Sequence, residues 1–144
     1  MSILIGSESR IIVQGITGNV GSFHTLRCLD YAMGRRCYVA GVNPKKGGQF
    51  FNGIPIYSTV VEAKEKTNAN MSVIYVPAFQ AKSAILEAVE ANLELVVCIT
   101  EGIPVNDMLR VRSFMLNSNS IAISTLLFKN SLTFSLPCPI LVSL

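Results

Sequence analysis

The feature of this sequence that most restricts its fold is a set of spaced glycines that follows a short apolar segment. Residues 11–14 read Ile-Ile-Val-Gln, and glycines then stand at positions 15, 18 and 21. A β-branched segment without polar alternation is typical of a central strand in a parallel sheet that is covered on both sides. Glycines directly after such a strand allow a tight turn into a helix. We therefore predict a strand over 10–14, a turn over 15–21 and a helix over 22–34.

The same alternation of strand and helix continues along the chain. Further strands are predicted over 37–42, 71–77 and 95–100, and helices over 59–66, 79–92 and about 106–117, with Ser58 or Thr59 as the cap of the short helix and Glu62 placed for a capping box. In the helix over 22–34, the apolar residues expected to share the buried face are Phe23, Leu26, Leu29 and Met33. This alternation predicts an α/β fold with a Rossmann-like parallel sheet and right-handed crossovers.

Composition limits the chain to one ordered domain with an unusual end. The chain has 144 residues, of which 50% are apolar and 15% are charged. This balance excludes intrinsic disorder for most of the chain and predicts a well-filled core. We predict that residues 1–120 form the domain and that 121–144 form an apolar tail, with one further strand at 121–124. Lys129 is the only charged residue of that tail.

Charge, cysteines and hydropathy argue against several other classes. The net charge of +3 comes from scattered lysines and arginines, which gives no support for nucleic-acid binding. The four cysteines form no C-x-x-C pair and there is one histidine, so no metal site is expected. No apolar run reaches about 18 residues, so no membrane span is expected. The first residues lack the features of a signal or transit peptide, which predicts a reducing compartment.

The loops after the predicted strands form the candidate binding site. Ligands of such sheets bind beyond the carboxyl ends of the strands. The spacing G-x-x-G-x-x-G at 15–21 differs from the G-x-G-x-x-G dinucleotide fingerprint, yet glycines and the first amides of a helix still suit an anion. The side chains of Thr17 and Asn19 add hydrogen-bond donors.

The residues after the second predicted strand narrow the choice of ligand. An NAD site usually has Asp or Glu here, about 20 residues past the glycines, to bind the ribose diol. The sequence instead reads Gly-Val-Asn-Pro-Lys-Lys at 41–46 and offers no carboxylate. Two lysines suit a ribose that carries a phosphate, which leaves NADP and coenzyme A as alternatives.

Five motifs together resemble one protein family. Residues 1–5, 14–24, 41–48, 72–78 and 99–104 read MSILI, QGITGNVGSFH, GVNPKKGG, SVIYVPA and ITEGIP. In this order they resemble the N-terminal CoA-binding domain of the succinate–CoA ligase (succinyl-CoA synthetase) α subunit, in register to about residue 120. After Ser120 the chain departs from the family pattern, which a truncated product with an altered reading frame or terminal exon would explain.

The resemblance implies a ligand and a set of binding residues. It selects coenzyme A over NADP. It places Thr17, Gly18, Asn19 and Val20 around the phosphates or the start of the pantetheine, and Lys46 on a phosphate. It also places the adenine beside Val76 and Pro77, and the pantetheine path along Ile99, Thr100 and Glu101.

The resemblance also implies a reaction that this chain does not complete alone. In the family, the α subunit with a β subunit converts succinate, coenzyme A and a nucleoside triphosphate to succinyl-CoA, nucleoside diphosphate and phosphate. The phosphohistidine of that reaction belongs to a second domain, so no catalytic residue is assigned here and His24 is expected to be structural. A β subunit is the implied partner. The implied location is cytoplasmic for a bacterial chain and the mitochondrial matrix for a eukaryotic one. The alternatives are a regulatory module that binds NADP and a non-functional truncated fragment.

Overall fold

Strands and helices alternate along the described part of the chain, which in this computed structural model comprises residues 8–31, 36–116, 118 and 120–124. The strands are β1 (Ile11–Gln14), β2 (Tyr38–Val42), β3 (Phe50–Phe51), β4 (Ile54–Tyr57), β5 (Met71–Ile74), β6 (Leu95–Cys98) and β7 (Ile121–Ser124). The helices are α1 (Asn19–Tyr31), α2 (Val60–Thr67), α3 (Ala78–Glu90) and α4 (Val105–Met115).

The described strands form one sheet in the order β3-β4-β2-β1-β5-β6-β7. β3 pairs antiparallel with β4, and the other neighbouring strands pair in parallel. From β1 the chain first adds strands on one side, through β2 and β4, and then on the other side from β5 onward. The predicted Rossmann-like parallel α/β fold is confirmed, and its topological switch point lies between β1 and β5.

Apolar clusters cover both faces of the sheet, and β1 is therefore buried along its whole length. On one face, Ile12, Ile74 and Val96 pack against the apolar sides of α2, α3 and α4. On the other face, Val13 and Ile16 belong to a smaller cluster that the half-buried Leu29 of α1 joins. Strands covered in this way need apolar side chains on both sides, which explains the lack of polar alternation in the sequence.

The buried face of α1 differs from the predicted one. Gly21 and Thr25 are buried, whereas Phe23 and Leu26 are 54% and 40% exposed. A Cβ atom on Gly21 would overlap the carbonyl oxygen of Gly15, so the helix approaches the preceding turn through its smallest residue. Close approach, and not apolar spacing, therefore selects the face of α1 that packs on the sheet. The helix also begins at Asn19, three residues before the predicted start, and predicted positions 33 and 34 lie outside the described residues.

A hairpin that the sequence analysis did not assign joins β3 and β4. Its two turn residues, Asn52 and Gly53, have φ angles of 47° and 80°. Two consecutive positive φ values are the signature of a type I′ turn, for which Asn-Gly is the favoured pair. The hairpin places an antiparallel strand at one edge of the otherwise parallel sheet.

The remaining predicted elements are present with shifted ends. The strands predicted over 71–77 and 95–100 end earlier, at Ile74 and Cys98, and release the residues that follow into loops. Thr59 caps α2 by accepting a hydrogen bond from the Glu62 amide at 3.2 Å. The Glu62 carboxylate accepts from the amide of Ser58 at 3.4 Å, one residue before the cap, so the capping box is closed one position early. β7 occupies the segment where a further strand was predicted, and the rest of the predicted tail, 125–144, lies outside the described residues.

Candidate functional site

Four loops meet at the carboxyl edge of the parallel sheet, beside the switch point. They are the β1–α1 turn (15–18), the β2–β3 loop (43–49), the β5–α3 loop (75–77) and the β6–α4 loop (99–104). Gly15 brings the first and third of these together, because a Cβ atom on it would lie 3.2 Å from the amide nitrogen of Val76. Gly15 also has a φ angle of 84°, which side chains other than glycine rarely adopt. Its position therefore requires glycine on two grounds.

The β1–α1 turn presents a helix start to the carboxyl edge. The amide of Gly18 donates to the carbonyl of Gly15 at 3.0 Å, and the amide of Ser22 donates to the carbonyl of Gly18 at 2.8 Å. These two bonds close the turn and start α1. The first amides of a helix have no partner within the helix and, with the helix dipole, favour a negative charge. The first turn of α1 contains no acidic residue that would oppose such a charge.

Asn43 joins the β2–β3 loop to the β1–α1 turn. Its Nδ2 donates to Oγ1 of Thr17 at 2.6 Å, and its Oδ1 accepts from the amide of Lys45 at 2.9 Å. Its backbone amide donates to the carbonyl of Tyr57 at 3.0 Å, and its carbonyl accepts from the amide of Lys46 at 3.1 Å. One residue thus sets the path of the loop that carries both lysines.

The β5–α3 and β6–α4 loops are joined in the same way. Oγ1 of Thr100 donates to the carbonyl of Val76 at 2.6 Å. Val76 is half-buried, and the exposed Pro77 directly precedes α3. Ile99 and Glu101 are exposed on either side of Thr100. Burial raises the pKa of the neighbouring Cys98 thiol, and hydrogen bonds from Thr100 oppose that shift.

The structure brings the predicted site residues to one edge of the sheet. Thr17, Gly18, Asn19 and Val20 form the β1–α1 turn and the start of α1, and Lys46 is reached from them through Asn43. The predicted residues of the other two loops are linked to them through the contact between Gly15 and Val76. The role of each of these residues in binding stays a prediction.

Asn43 is the residue of this site to which the sequence analysis gave no role. An Asn that follows a strand and precedes Pro commonly bonds to the backbone two residues ahead, and that signal predicts the Lys45 bond. The bond to Thr17 spans 26 residues and has no local signal in the sequence. Only the pairing of β1 with β2 places the two side chains together.

His24 takes part in an aromatic cluster next to the site. Its ring stacks on Tyr75 with a centroid distance of 5.5 Å and an interplanar angle of 5°. Phe23 meets it edge-on at 5.4 Å, and the Arg27 guanidinium lies 5.4 Å from the centre of the Phe23 ring. Burial raises the pKa of Tyr75. The contacts of His24 are therefore packing contacts that hold α1 against the residue before Val76.

A polar groove lies at the opposite edge of the sheet, where β5 and β6 begin. Lys64, Asn68, Glu90 and Asn92 are among the residues that line it. The Lys64 ammonium donates to the carbonyls of Ala91 and Asn92 at 2.7 Å and 3.0 Å. A cation at the last carbonyls of α3 stabilises the end of that helix, which accounts for this lysine structurally. The groove is separated from the candidate site by the length of the strands.

The described residues contain no group of three His, Cys, Asp or Glu side chains arranged to hold a metal ion. None of the helices in the described ranges has the length and apolar character that crossing a bilayer requires.

The fold and the site define a Rossmann-like α/β domain whose binding loops converge at the switch point. Residues 6–102 match the CoA binding domain family, and the chain belongs to this family. Individual relatives confirm the resemblance that the five motifs indicated. The chain is 52% identical over 118 residues to the succinate–CoA ligase [ADP-forming] subunit alpha of Aquifex aeolicus. It is 50% identical over 115 residues to the same subunit of Staphylococcus epidermidis.

These alignments cover most of this chain and a minor part of the relatives. The Aquifex alignment covers 82% of this chain and 38% of the relative, and the Staphylococcus alignment covers 80% and 37%. The chain therefore spans less than two-fifths of the length of the subunits it matches.

Solved structures share the fold at low sequence identity. ATP citrate lyase from Methanothrix soehngenii, in complex with citrate and coenzyme A, superposes with a TM-score of 0.66 at 21% identity, over 84% of this chain and 21% of that one. A conserved hypothetical protein from Pyrococcus furiosus gives 0.61 at 21% identity, over 81% and 93%. The WlbA dehydrogenase from Thermus thermophilus, in complex with NAD and alpha-ketoglutarate, gives 0.60 at 13% identity, over 82% and 41%. The fold is thus common to proteins with different nucleotide ligands, and the choice of ligand must come from the loops.

Proposed function

We propose that this chain is the CoA-binding domain of a succinate–CoA ligase α subunit and that it binds coenzyme A at the four-loop site. The observation that carries the proposal is the bond between Asn43 and Thr17, which places the start of α1 beside the loop of Lys45 and Lys46. Both features favour phosphate groups. The membership of the CoA binding domain family gives the same ligand.

The geometry supports a division of the ligand among the loops. The start of α1, with Thr17 to Val20, faces the phosphates or the first part of the pantetheine, and Lys46 neutralises a phosphate. Val76 and Pro77 offer an apolar border for the adenine next to the glycine turn. Ile99, Thr100 and Glu101 continue the edge in the direction of the pantetheine.

We assign the binding step of the ligase reaction to this domain and not the chemical steps. The reaction of the parent enzyme consumes succinate, coenzyme A and a nucleoside triphosphate through a phosphohistidine of a second domain. The sequence has one histidine, His24, and its ring is stacked on Tyr75. The domain that carries the phosphohistidine and a β subunit would complete the enzyme. On this proposal the purified chain binds coenzyme A and gives no turnover with succinate, coenzyme A and a nucleoside triphosphate.

NADP is the second candidate ligand. The residues after β2 that exclude the NAD pattern, Asn43 followed by Lys45 and Lys46, also suit a 2′-phosphate. A solved structure of the same fold contains NAD. A competition experiment distinguishes the two ligands. Tighter binding of NADP than of coenzyme A would make NADP the first candidate.

The test is calorimetric titration of the chain with coenzyme A and with NADP, using two lysine variants. We expect saturable binding of coenzyme A and preference for it over NADP. Lys46→Ala should weaken binding about tenfold or more, because a hydrogen bond to a charged phosphate is removed. Lys66→Ala, in the last turn of α2, removes the same charge away from the site and is the matched control. Absence of heat with coenzyme A at millimolar concentration, with folded protein, would contradict the proposal.

A further inference from the structure

The side chain of Asn43 stands near the place where NAD-binding domains of this fold carry an acidic residue, and its orientation is fixed by hydrogen bonding. A backbone N–H can only donate, so the Asn43 atom 2.9 Å from the Lys45 amide must be the oxygen Oδ1. The nitrogen Nδ2 therefore faces Thr17, 2.6 Å from Oγ1. The assignment of the amide thus follows from the loop backbone itself.

This orientation determines the role of the Thr17 hydroxyl. Nδ2 carries hydrogens and no accepting lone pair, so Oγ1 of Thr17 must accept in this bond. A hydroxyl has one proton, and the bond to Asn43 does not use it. The Thr17 proton is therefore available to an accepting ligand. A phosphate oxygen, which only accepts, fits this position.

We infer that Asn43 is a positioning residue that holds Thr17 as a hydrogen-bond donor and thereby selects a phosphate-bearing ligand at the end of β2. The inference rests on the proposed function, since it explains how that site prefers a phosphate over an unmodified ribose diol. Asn43 acts through Thr17, and its backbone carbonyl also fixes the turn of Lys46. Selection for the phosphate therefore depends on a neutral amide as well as on the lysines.

An aspartate at position 43 separates the bond to the Lys45 amide from the bond to Thr17, because it has nearly the same shape as asparagine. Its carboxylate still accepts from the Lys45 amide, so the turn is retained. It cannot donate to Thr17, and the Thr17 proton turns toward the carboxylate and is lost to the ligand. Asn43→Asp should therefore keep the fold and weaken phosphate binding.

The experiment is a double-mutant cycle in which coenzyme A affinity is measured by calorimetry and folding by thermal unfolding. The four proteins are the parent, Asn43→Asp, Thr17→Val and the double variant. Asn43→Asp in the parent should weaken coenzyme A binding about tenfold or more with an unchanged melting temperature. In the Thr17→Val background the same substitution should cost a clearly smaller factor, since there is no hydroxyl to redirect. In a Thr17→Ser background, which keeps the hydroxyl, Asn43→Asp should again weaken binding by the full factor. This background also provides the comparison if Thr17→Val folds poorly.

Three outcomes overturn the inference and are distinguishable. Equal affinity of the parent and Asn43→Asp removes Asn43 from ligand selection while the proposed function stands. The same factor in the Thr17→Val, Thr17→Ser and parent backgrounds means that the added charge acts without Thr17, and again only the inference fails. A folded parent that does not bind coenzyme A overturns both the inference and the proposed function.

Discussion

Single residues determine the packing of this domain mainly where two backbone segments lie close together. Gly15 lies against the backbone of Val76, and a side chain on Gly21 would meet the carbonyl of Gly15. The sequence indicated a tight turn at these glycines, and the structure shows that they also set the distance between α1 and the sheet. That distance determines where the first amides of α1 lie relative to the other loops.

Gly21→Ala should lower the free energy of unfolding by about 1–3 kcal/mol, the usual cost of overpacking. The sign of this change in the free energy of unfolding is informative, because replacing a helical glycine by alanine at an open site normally stabilises a protein by about 0.5–1 kcal/mol. The new methyl group would meet backbone at Gly15, which cannot move without opening the turn. Urea unfolding measures the change. Ser83→Ala, at an exposed position of α3, is the control and should leave stability nearly unchanged, and a stable Gly21→Ala protein would refute the close approach.

At the scale of elements, the sequence predicted what apolar pattern and local capping determine. In α3, Ile85 and Val89 stand four residues apart, the spacing of one helix face, and both are buried. The face of α1 was predicted wrongly because Phe23 and Leu26 have helical spacing but lie on the side away from the sheet. Spacing reports which residues share a face, and it does not report which face a close glycine contact will turn inward. The β3–β4 hairpin was not assigned although its Asn-Gly pair is a strong local signal.

The hairpin turn gives a prediction at this scale. Gly53→Ala should destabilise the protein by about 1–2 kcal/mol, because alanine is strained at a φ of 80°. Among the described residues, no atom beyond the two chain neighbours lies within 4 Å of the added methyl group, so the effect isolates the backbone conformation. Asn52→Gly is the matched variant and should cost clearly less, since glycine adopts a φ of 47° without strain and only the turn's preference for Asn is lost. Urea midpoints measure both, and equal losses in the two variants would contradict the assigned turn.

At the scale of the whole molecule, the alternation of parallel strands and helices followed from the sequence, whereas the links between loops did not. Parallel strands that alternate with helices require their carboxyl ends to lie at one edge, which is why the loops after β1, β2, β5 and β6 were predicted as the site. The bonds from Asn43 to Thr17 and from Thr100 to Val76 join loops that are distant in sequence. Such bonds depend on strand order and register, which local patterns do not contain.

Alkaline pH should destabilise the whole domain through its partly buried acids. Burial is the main cause that raises the pKa values of Cys98, Tyr38 and Tyr75 above the ordinary 9.0 of a cysteine and 10.0 of a tyrosine. Because the folded state holds these protons more tightly, the stability they contribute is complete below pH about 9 and is lost as the pH rises through the folded-state values.

Urea midpoints measured between pH 7.5 and pH 11 test this expectation. The midpoint of the parent should fall above pH about 9. Tyr38→Phe removes one of the shifted groups and should flatten the decline above pH about 10. Tyr31→Phe, at a position that is 88% exposed, is the control and should follow the parent curve. A Tyr38→Phe protein with the parental decline would show that Tyr38 does not contribute to it.

The bond between Asn43 and Thr17 also has a consequence for how such a domain changes over generations. Thr17 and Asn43, 26 residues apart, share one hydrogen bond. On the inferred role of Asn43, the loss of either side chain weakens the binding of the ligand. A lineage that replaced either one alone would pass through a weak binder, whereas a paired replacement could restore a donor facing the ligand. We therefore expect descendants with altered nucleotide preference to carry substitutions at both positions together.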